Sequence, residues 1–257
     1  MRIEEPKQIT KGQNLSDERI RQAIAPTGRL RCTINYGNPI LARLESSGSV
    51  GGVSVDIARI LAARLEVELE LLAWESAGKA VTAVEEGRAD VGFFARDPDR
   101  GKFIAFTEPY ILIEGCYLVR DDSAVTTLQD VDATGIRLTV GKGSAYDLYL
   151  TREIKNATIE RAPTSPAVVQ TFLDSGADVA AGVRQQLEHD AKALGGLRML
   201  PGHFMVIEQA MGIARTHGAD AHNYLSSFVE QVKSEGIVGQ ALARNGIADV
   251  SVAPPKP

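Results

Sequence analysis

Residues 140–150, VGKGSAYDLYL, join a β-branched strand end to a helix-forming run through Gly141-Lys142-Gly143-Ser144. A bend of this kind offers backbone amides, the positive end of a helix dipole and a hydroxyl, a set suited to holding an anion. A nucleotide loop needs G-x-x-x-x-G-K-[ST], but Ile136 stands five positions before Gly141 and Gly143 follows Lys142, which disfavours a triphosphate. A hydrolase elbow needs G-x-S-x-G, and here Lys142 and Tyr146 stand two positions to either side of Ser144. What remains is a carboxylate or similar small anion, with Gly143 and the Ser144 hydroxyl as donors and Lys142 nearby. The alternative is that Ser144 only caps the helix.

Two more cations follow a shared pattern. EEGRADVGFFAR (85–96) and LDSGADVAAGVR (173–184) each run helix end, Gly, Ala-Asp-Val, apolar strand, Arg. Arg96 and Arg184 fall six residues after Asp90 and Asp178, which carries them to the carboxyl ends of their strands at roughly 3.3 Å per residue. Open α/β sheets bind ligands at that edge. Both arginines are therefore expected at a shared cleft, the alternative being solvated loops.

The elements that would position these groups alternate in type. RLRCTINY, VELELLAW and ADVGFFA read as strands separated by the helices VSVDIARILAARL and KAVTAVEEG. The pattern restarts with IRLTVGKG, ATIERAP and ADVAAGV as strands, separated by SAYDLYLTREI and PAVVQTFLDSG as helices. Alternation of this kind predicts a parallel α/β sheet. Two longer apolar runs, PYILIEGCYLV and FMVIEQAMGIA, bracket the second half and read as strands crossing between two lobes. The expected fold class is α/β, two Rossmann-like lobes joined by two hinge crossings. The expected division is a polar segment with a short helix at 1–28, one lobe at 29–117 with 209–257, and an inserted lobe at 118–208. The short helix starts at an N-cap at Ser16, helices AHNYLSSFVEQVKSEG and VGQALARNG close the chain, and VAPPKP reads as a disordered extended tail.

At 257 residues and 44% hydrophobic content the chain can bury one substantial core or two modest ones. A net charge of −5 with no basic block gives no footprint for nucleic acid or an anionic membrane, so small-molecule partners move forward. Cys32 and Cys116 match no CxxC pattern and read as small buried hydrophobes rather than as a bridge or a zinc site. His189, His203, His217 and His222 are scattered and read as solvated surface residues. Neither a metal nor a cofactor is expected. The polar first twenty residues lack the apolar core of a secretory signal, so the chain is expected to be cytosolic or a mature form from which a signal was removed.

The order and spacing of several stretches resemble the periplasmic solute-binding proteins of ABC transporters, in the branch of polar amino acid receptors with the type II periplasmic binding protein fold. The resemblance runs over residues 28–247. GRLRCTINYGNPIL is similar to the opening strand and ligand loop, GGVSVDIARILAARL to the first helix, and AVEEGRADVGFF to the approach to a carboxylate-binding arginine. DRGKFIAFTEPYILIEGCYLV resembles that arginine and the entry to the hinge, VGKGSAY the second lobe's anion-binding turn, and GIA at 212–214 the start of the return. The resemblance implies that Arg100 grips a ligand carboxylate, that Ser144 helps hold it, and that Tyr36 and Asn38 contact the ligand side chain. An arginine suits that role because its guanidinium pairs with a carboxylate through two hydrogen bonds.

Two departures bear on the ligand. The chain is two residues shorter than the usual receptor between Asp90 and Arg100, with Ala95, Arg96 and Asp97 where a Ser/Thr pair often helps bind ligand. The position of the family's ammonium-binding aspartate falls at Val183 or Arg184. Either Asp97 takes the ammonium, or the ligand lacks an amine and Arg184 grips a second carboxylate. The resemblance implies a monomer that delivers a small carboxylate to a membrane permease, with a periplasmic address and a cytoplasmic one as the alternative. A competing reading is a cyclohexadienyl dehydratase-like enzyme on the same fold, with Glu114 or Glu208 near the hinge as acid or base. A third, the sensing domain of a receptor, is weakened because no membrane-spanning or signalling segment follows VSVAPPKP.

Overall fold

The computed structural model describes residues 11–256; residues 1–10 and Pro257 lie outside them. The first half of the chain forms α1 (Lys11–Ile24), β1 (Arg29–Asn35), β2 (Arg43–Leu44), β3 (Val50–Gly51), α2 (Val53–Leu65), β4 (Glu68–Trp74), α3 (Ala77–Glu85), β5 (Val91–Ala95) and the long β6 (Ile104–Arg120). There follow β7 (Arg137–Gly141), α4 (Ala145–Glu153), β8 (Thr158–Ala162), α5 (Val168–Ser175), β9 (Val179–Val183), α6 (Arg184–Leu194) and β10 (Leu197–Met199). The chain returns through β11 (Met205–Ala214) to α7 (Gly218–Ser234), α8 (Ile237–Arg244) and β12 (Ser251–Val252).

One twisted path of strands runs β4-β1-β5-β11-β6-β9-β7-β8. Its two ends are parallel, as alternating strands and helices require, with β1 between β4 and β5 and β7 between β8 and β9. Its middle is antiparallel, because β6 leaves the first lobe and β11 returns to it. At Gly115, β6 pairs with Met205 of β11 on one side and Val183 of β9 on the other. Before that point its partners are β11 and β12, and after it β9 and β10. The molecule is thus two α/β lobes joined by two crossing strands.

Each lobe closes its ladder with the same clamp. In the first, the Asp90 carboxylate accepts from the Arg31 backbone amide (2.9 Å) and guanidinium (3.1 and 2.5 Å), while the Asp90 amide donates to the Arg31 carbonyl. In the second, Asp178 accepts from the Arg137 amide (2.8 Å) and donates to its carbonyl, whereas the Arg137 guanidinium turns to Glu160 (2.6 Å). The repeated Ala-Asp-Val stretch is the sequence trace of this shared device.

Packing follows the apolar periodicity. In α2, Val53, Ile57, Leu61 and Leu65 are buried at helical spacing against the first-lobe sheet, each such side chain contributing about 1.5–3 kcal/mol. Cys32 and Cys116 are free and buried in separate clusters, as small hydrophobes. Burial pushes the Cys116 thiol up to about 11 and Cys32 further still.

Several expectations need correction. The N-terminal helix begins at Lys11, upstream of the N-cap expected at Ser16. The end of the chain is held rather than free: β12 pairs with β6, the Ala253 amide donates to the Tyr110 carbonyl (3.0 Å), and Lys233 donates to the Pro254 carbonyl (2.9 Å). His217 and His222 are half-buried, bonded to the carbonyls of Ala23 and Phe106. Helix α6 is additional to the expected elements: RQQLEHDAKAL consists largely of good helix formers, but with only Leu187 fully buried it carries no apolar stripe to mark it.

Candidate functional site

Between the lobes lies a cavity of about 50 Å³, reached from the carboxyl ends of both parallel ladders. The first lobe supplies Asn35, Asn38, Phe93, Ala95 and Arg100; the second supplies Ser144, Ser165, Val183 and two α6 residues, Gln186 and Asp190; β11 adds Gln209.

Local folding explains why these side chains point there. After β1 the chain must turn past the end of β4, and a side chain at Gly37 would collide with the Glu75 carbonyl, so only glycine fits. Asn35 accepts from the Gly37 amide (3.0 Å) and Asn38 from the Ile40 amide (3.2 Å), which fixes the loop as two successive Asx turns. Arg100 starts a short 3-10 turn whose amides at Asp99 and Arg100 are capped by the Asp97 carboxylate.

Arg100 is 5% exposed and spans the gap between lobes. Its guanidinium donates to the Ala95 carbonyl (3.2 Å) and, across the cleft, to the Gly143 carbonyl (2.9 Å). No carboxylate pairs with it among the described residues. Burial pulls it down to about 10, against the upward influence of Asp97 and Glu85. A buried cation with only carbonyl partners is disposed to take an anion.

The bend at 141–144 differs from the anion seat expected. The Lys142, Gly143 and Ser144 amides are all used, by the Ala162 carbonyl (2.9 Å), the Asp147 carboxylate (2.8 Å) and the Gly141 carbonyl (3.0 Å). Asp147, 4% exposed and paired with Arg161 (3.0 Å), holds the bend from inside. Gly143 adopts φ 73°, the left-handed region that favours glycine. Ser144 caps α4 through the Asp147 amide (3.0 Å) and also lines the cavity, with its hydroxyl beside the Tyr146 phenol. The Ala145 and Tyr146 amides in the first turn of α4 take no acceptor among the described residues.

Of the nine residues singled out in the sequence, the structure brings Asn38, Arg100 and Ser144 to the cavity wall, while Gly143 lines an outer groove and its carbonyl accepts from Arg100. Lys142 is exposed and faces an outer groove with Trp74 and Arg88. Tyr36 packs on the hydrophobic core, its amide bonded to the Trp74 carbonyl (2.9 Å). Asp97, 7% exposed, pairs across the cleft with Arg152 (2.8 Å) instead of facing the cavity. Arg96 pairs with Glu108 (3.1 Å) and Glu208 (3.4 Å), and Arg184 with Glu114 (2.5 Å). Both arginines of the repeated pattern therefore brace the crossing strands and neither reaches the cavity. Strand β9 ends at Val183, so Arg184 opens α6 and is drawn toward β6. The same pairings remove Glu114 and Glu208 from the cavity, and Glu114 also lies 3.3 Å from His203.

The residues missed were Asn35, Gln186, Asp190 and Gln209. Gln209 is 5% exposed within an apolar strand, a buried polar residue whose place in FMVIEQAMGIA was a legible signal. Gln186 and Asp190 were lost with α6; their four-residue spacing puts them on one helix face.

Among the described residues no group of three His, Cys, Asp or Glu could hold a metal, and no helix is long and apolar enough to cross a membrane.

Comparison with known proteins bears on this geometry. The chain is similar to the amino-acid-binding protein AabA of Dichelobacter nodosus, 24% identical over 143 residues, 54% of this chain and 56% of that one. It thus spans about half the length of that relative. In fold it is similar to the solute receptor for L-cysteine of Neisseria gonorrhoeae (TM-score 0.75, 20% identity, covering 87% of this chain and 92% of that one). It is likewise similar to the ancestral amino acid-binding protein AncCDT-1, a precursor of cyclohexadienyl dehydratase (TM-score 0.73, 19% identity, 90% and 98%). These structures share the type II periplasmic binding protein fold. The model of the bacterial extracellular solute-binding proteins, family 3, matches residues 30–245, and the chain belongs to that family.

Proposed function

We propose that this protein is the solute-binding component of an ABC transporter, which closes its lobes on a small carboxylate solute and presents it to a membrane permease. The observation that carries the reading is Arg100: a buried guanidinium from one lobe, without a carboxylate partner among the described residues, at a cavity whose other side presents the Ser144 hydroxyl. A ligand carboxylate supplies the counter-charge there, and closure lowers the dielectric in which the pair forms. The relatives support the solute class, since AabA is named as amino-acid-binding and the Neisseria gonorrhoeae protein as a receptor for L-cysteine.

The lobes divide, in this reading, where β6 passes from β11 to β9 at Gly115 and where β11 begins, close to the boundaries at 117 and 209 expected from the sequence. The protein works as a monomer in the periplasm or outside the cell. The dehydratase alternative is not better supported, because neither Glu114 nor Glu208 lines the cavity.

Thermal unfolding of ligand-stripped protein against amino acids, amine-free acids, dicarboxylates, prephenate and arogenate tests the proposal. A ligand at a hundred times its dissociation constant adds about 2.7 kcal/mol, which raises the midpoint by roughly 5–10 °C for a chain of this size. Arg100→Ala should weaken binding by about 1.5–3 kcal/mol or more, which removes about half or more of that stabilisation. A carboxylate whose shift survives Arg100→Ala overturns the site, and substrate consumed with product formed overturns the transport reading.

A further inference from the structure

Two side chains of charge-bearing type line the cavity, Arg100 and Asp190, and neither has an oppositely charged side chain paired with it among the described residues. Among the described residues the Arg100 guanidinium bonds to backbone carbonyls alone. Asp190, half-buried on α6, has no cationic partner among the described residues; its carboxylate accepts only from the Gln186 side-chain amide, at 2.8 and 2.9 Å. A carboxylate and a guanidinium that share one cavity, each without an ion-pair partner among the described residues, call for a ligand that carries both complementary charges.

Their separation sets how far apart those charges are. β7 and β9 are parallel neighbours, so Val183 at the end of β9 lies at the same sheet edge as the bend that delivers Ser144. Asp190 stands seven residues beyond Val183, about two helical turns or roughly 10 Å along α6. Its side chain leans back toward the helix N-terminus, which brings it to Gln186 but no nearer the strand end than about one turn. An α-ammonium lies one carbon from its carboxylate, a shorter reach than this displacement of one to two helical turns along α6. Val168, Val169 and Leu187 line the cavity on the second-lobe side, an apolar wall suited to methylenes.

We propose that Asp190, oriented by Gln186, is the cation-recognising pole of the site and selects a carboxylate whose amine lies several carbons away, a linear ω-amino carboxylate. This deepens the proposed function and rests on the assignment of the ligand carboxylate to Arg100. Gln186 fixes the Asp190 carboxylate on the cavity wall and leaves its remaining lone pairs to the ligand ammonium.

The test is calorimetric titration of the ligand-stripped full chain with 4-aminobutyrate, 5-aminopentanoate and 6-aminohexanoate. The controls are straight-chain alkanoates of matched length and the α-amino isomers. At least one ω-amino acid is expected to bind tenfold or more tighter than both its alkanoate and its α-amino isomer. Asp190→Asn should collapse that preference to within twofold, and Asp190→Lys should turn it toward α,ω-dicarboxylates of the same length. If the α-amino isomers bind as well as the ω-amino acids, or if Asp190→Asn leaves the preference in place, Asp190 is not the amine pole and the carboxylate reading still stands. If no member of any series binds, the carboxylate reading itself fails, and this inference with it.

Discussion

If the lobes close on a ligand as proposed, the ion pair between Asp97 and Arg152 is the clearest contact that depends on closure. Asp97 lies in the first lobe three residues before Arg100, and Arg152 projects from α4 of the second, 2.8 Å away. The Asp97 side chain is 4% exposed and the Arg152 side chain 35%, with Arg152 shared to Asp99 at 3.3 Å. A hydrogen bond between charged groups contributes about 1.5–3 kcal/mol when buried, and an exposed ion pair about 0.2–1. With one partner buried and the other a third exposed, about 1–2 kcal/mol is expected, a factor of roughly 5–30 in the ratio of closed to open molecules. Asp97→Asn and Arg152→Gln should each speed ligand dissociation by that factor and leave association within about twofold. The double variant should lose no more than the worse single one, since the two residues share one contact. The readouts are stopped-flow kinetics with the best carboxylate of the panel and energy transfer between dyes at Arg59→Cys and Asp174→Cys, the native thiols being buried. Additive losses in the double variant, or an effect confined to association, would refute the latch.

Other predictions concern the scaffold. Asp90→Asn breaks a carboxylate that is fully buried and bound three times by Arg31, and should cost about 3–5 kcal/mol in urea unfolding. Asp178→Asn should cost only about 1, because the Arg137 guanidinium is held by Glu160; equal losses would show that the two clamps are not built as described. Neither thiol should react with a disulfide reagent at pH 8 in the folded protein, since burial holds Cys116 protonated to about 11 and Cys32 beyond; two thiols should react in denaturant, and fast labelling of either in native buffer would contradict the packing.

The alternation of strands and helices was legible because two apolar periods mark it, and the two long apolar runs marked the crossings. Arg100 and Ser144 were found through resemblance and turn chemistry, and both lie at the cavity. Arg96 and Arg184 show where pattern reading stops. Their spacing correctly carried them to strand ends, but nothing local records that Glu108, Glu208 and Glu114 on the crossing strands wait there to pair with them. The bend at 141–144 misled for a related reason, since its amides are satisfied by Asp147, Gly141 and Ala162, partners chosen by tertiary packing. Asp190 was hidden because its helix carries mostly polar residues and only Leu187 is fully buried.

The central claim is that a ligand carboxylate sits between Arg100 of one lobe and Ser144 of the other. A crystal structure of the complex with the carboxylate that raises the unfolding midpoint most tests it directly. The account predicts carboxylate oxygens about 2.7–2.9 Å from the Arg100 guanidinium and within hydrogen-bond reach of the Ser144 hydroxyl. A carboxylate found elsewhere in the cleft, with Arg100 still bonded only to Ala95 and Gly143, would contradict it.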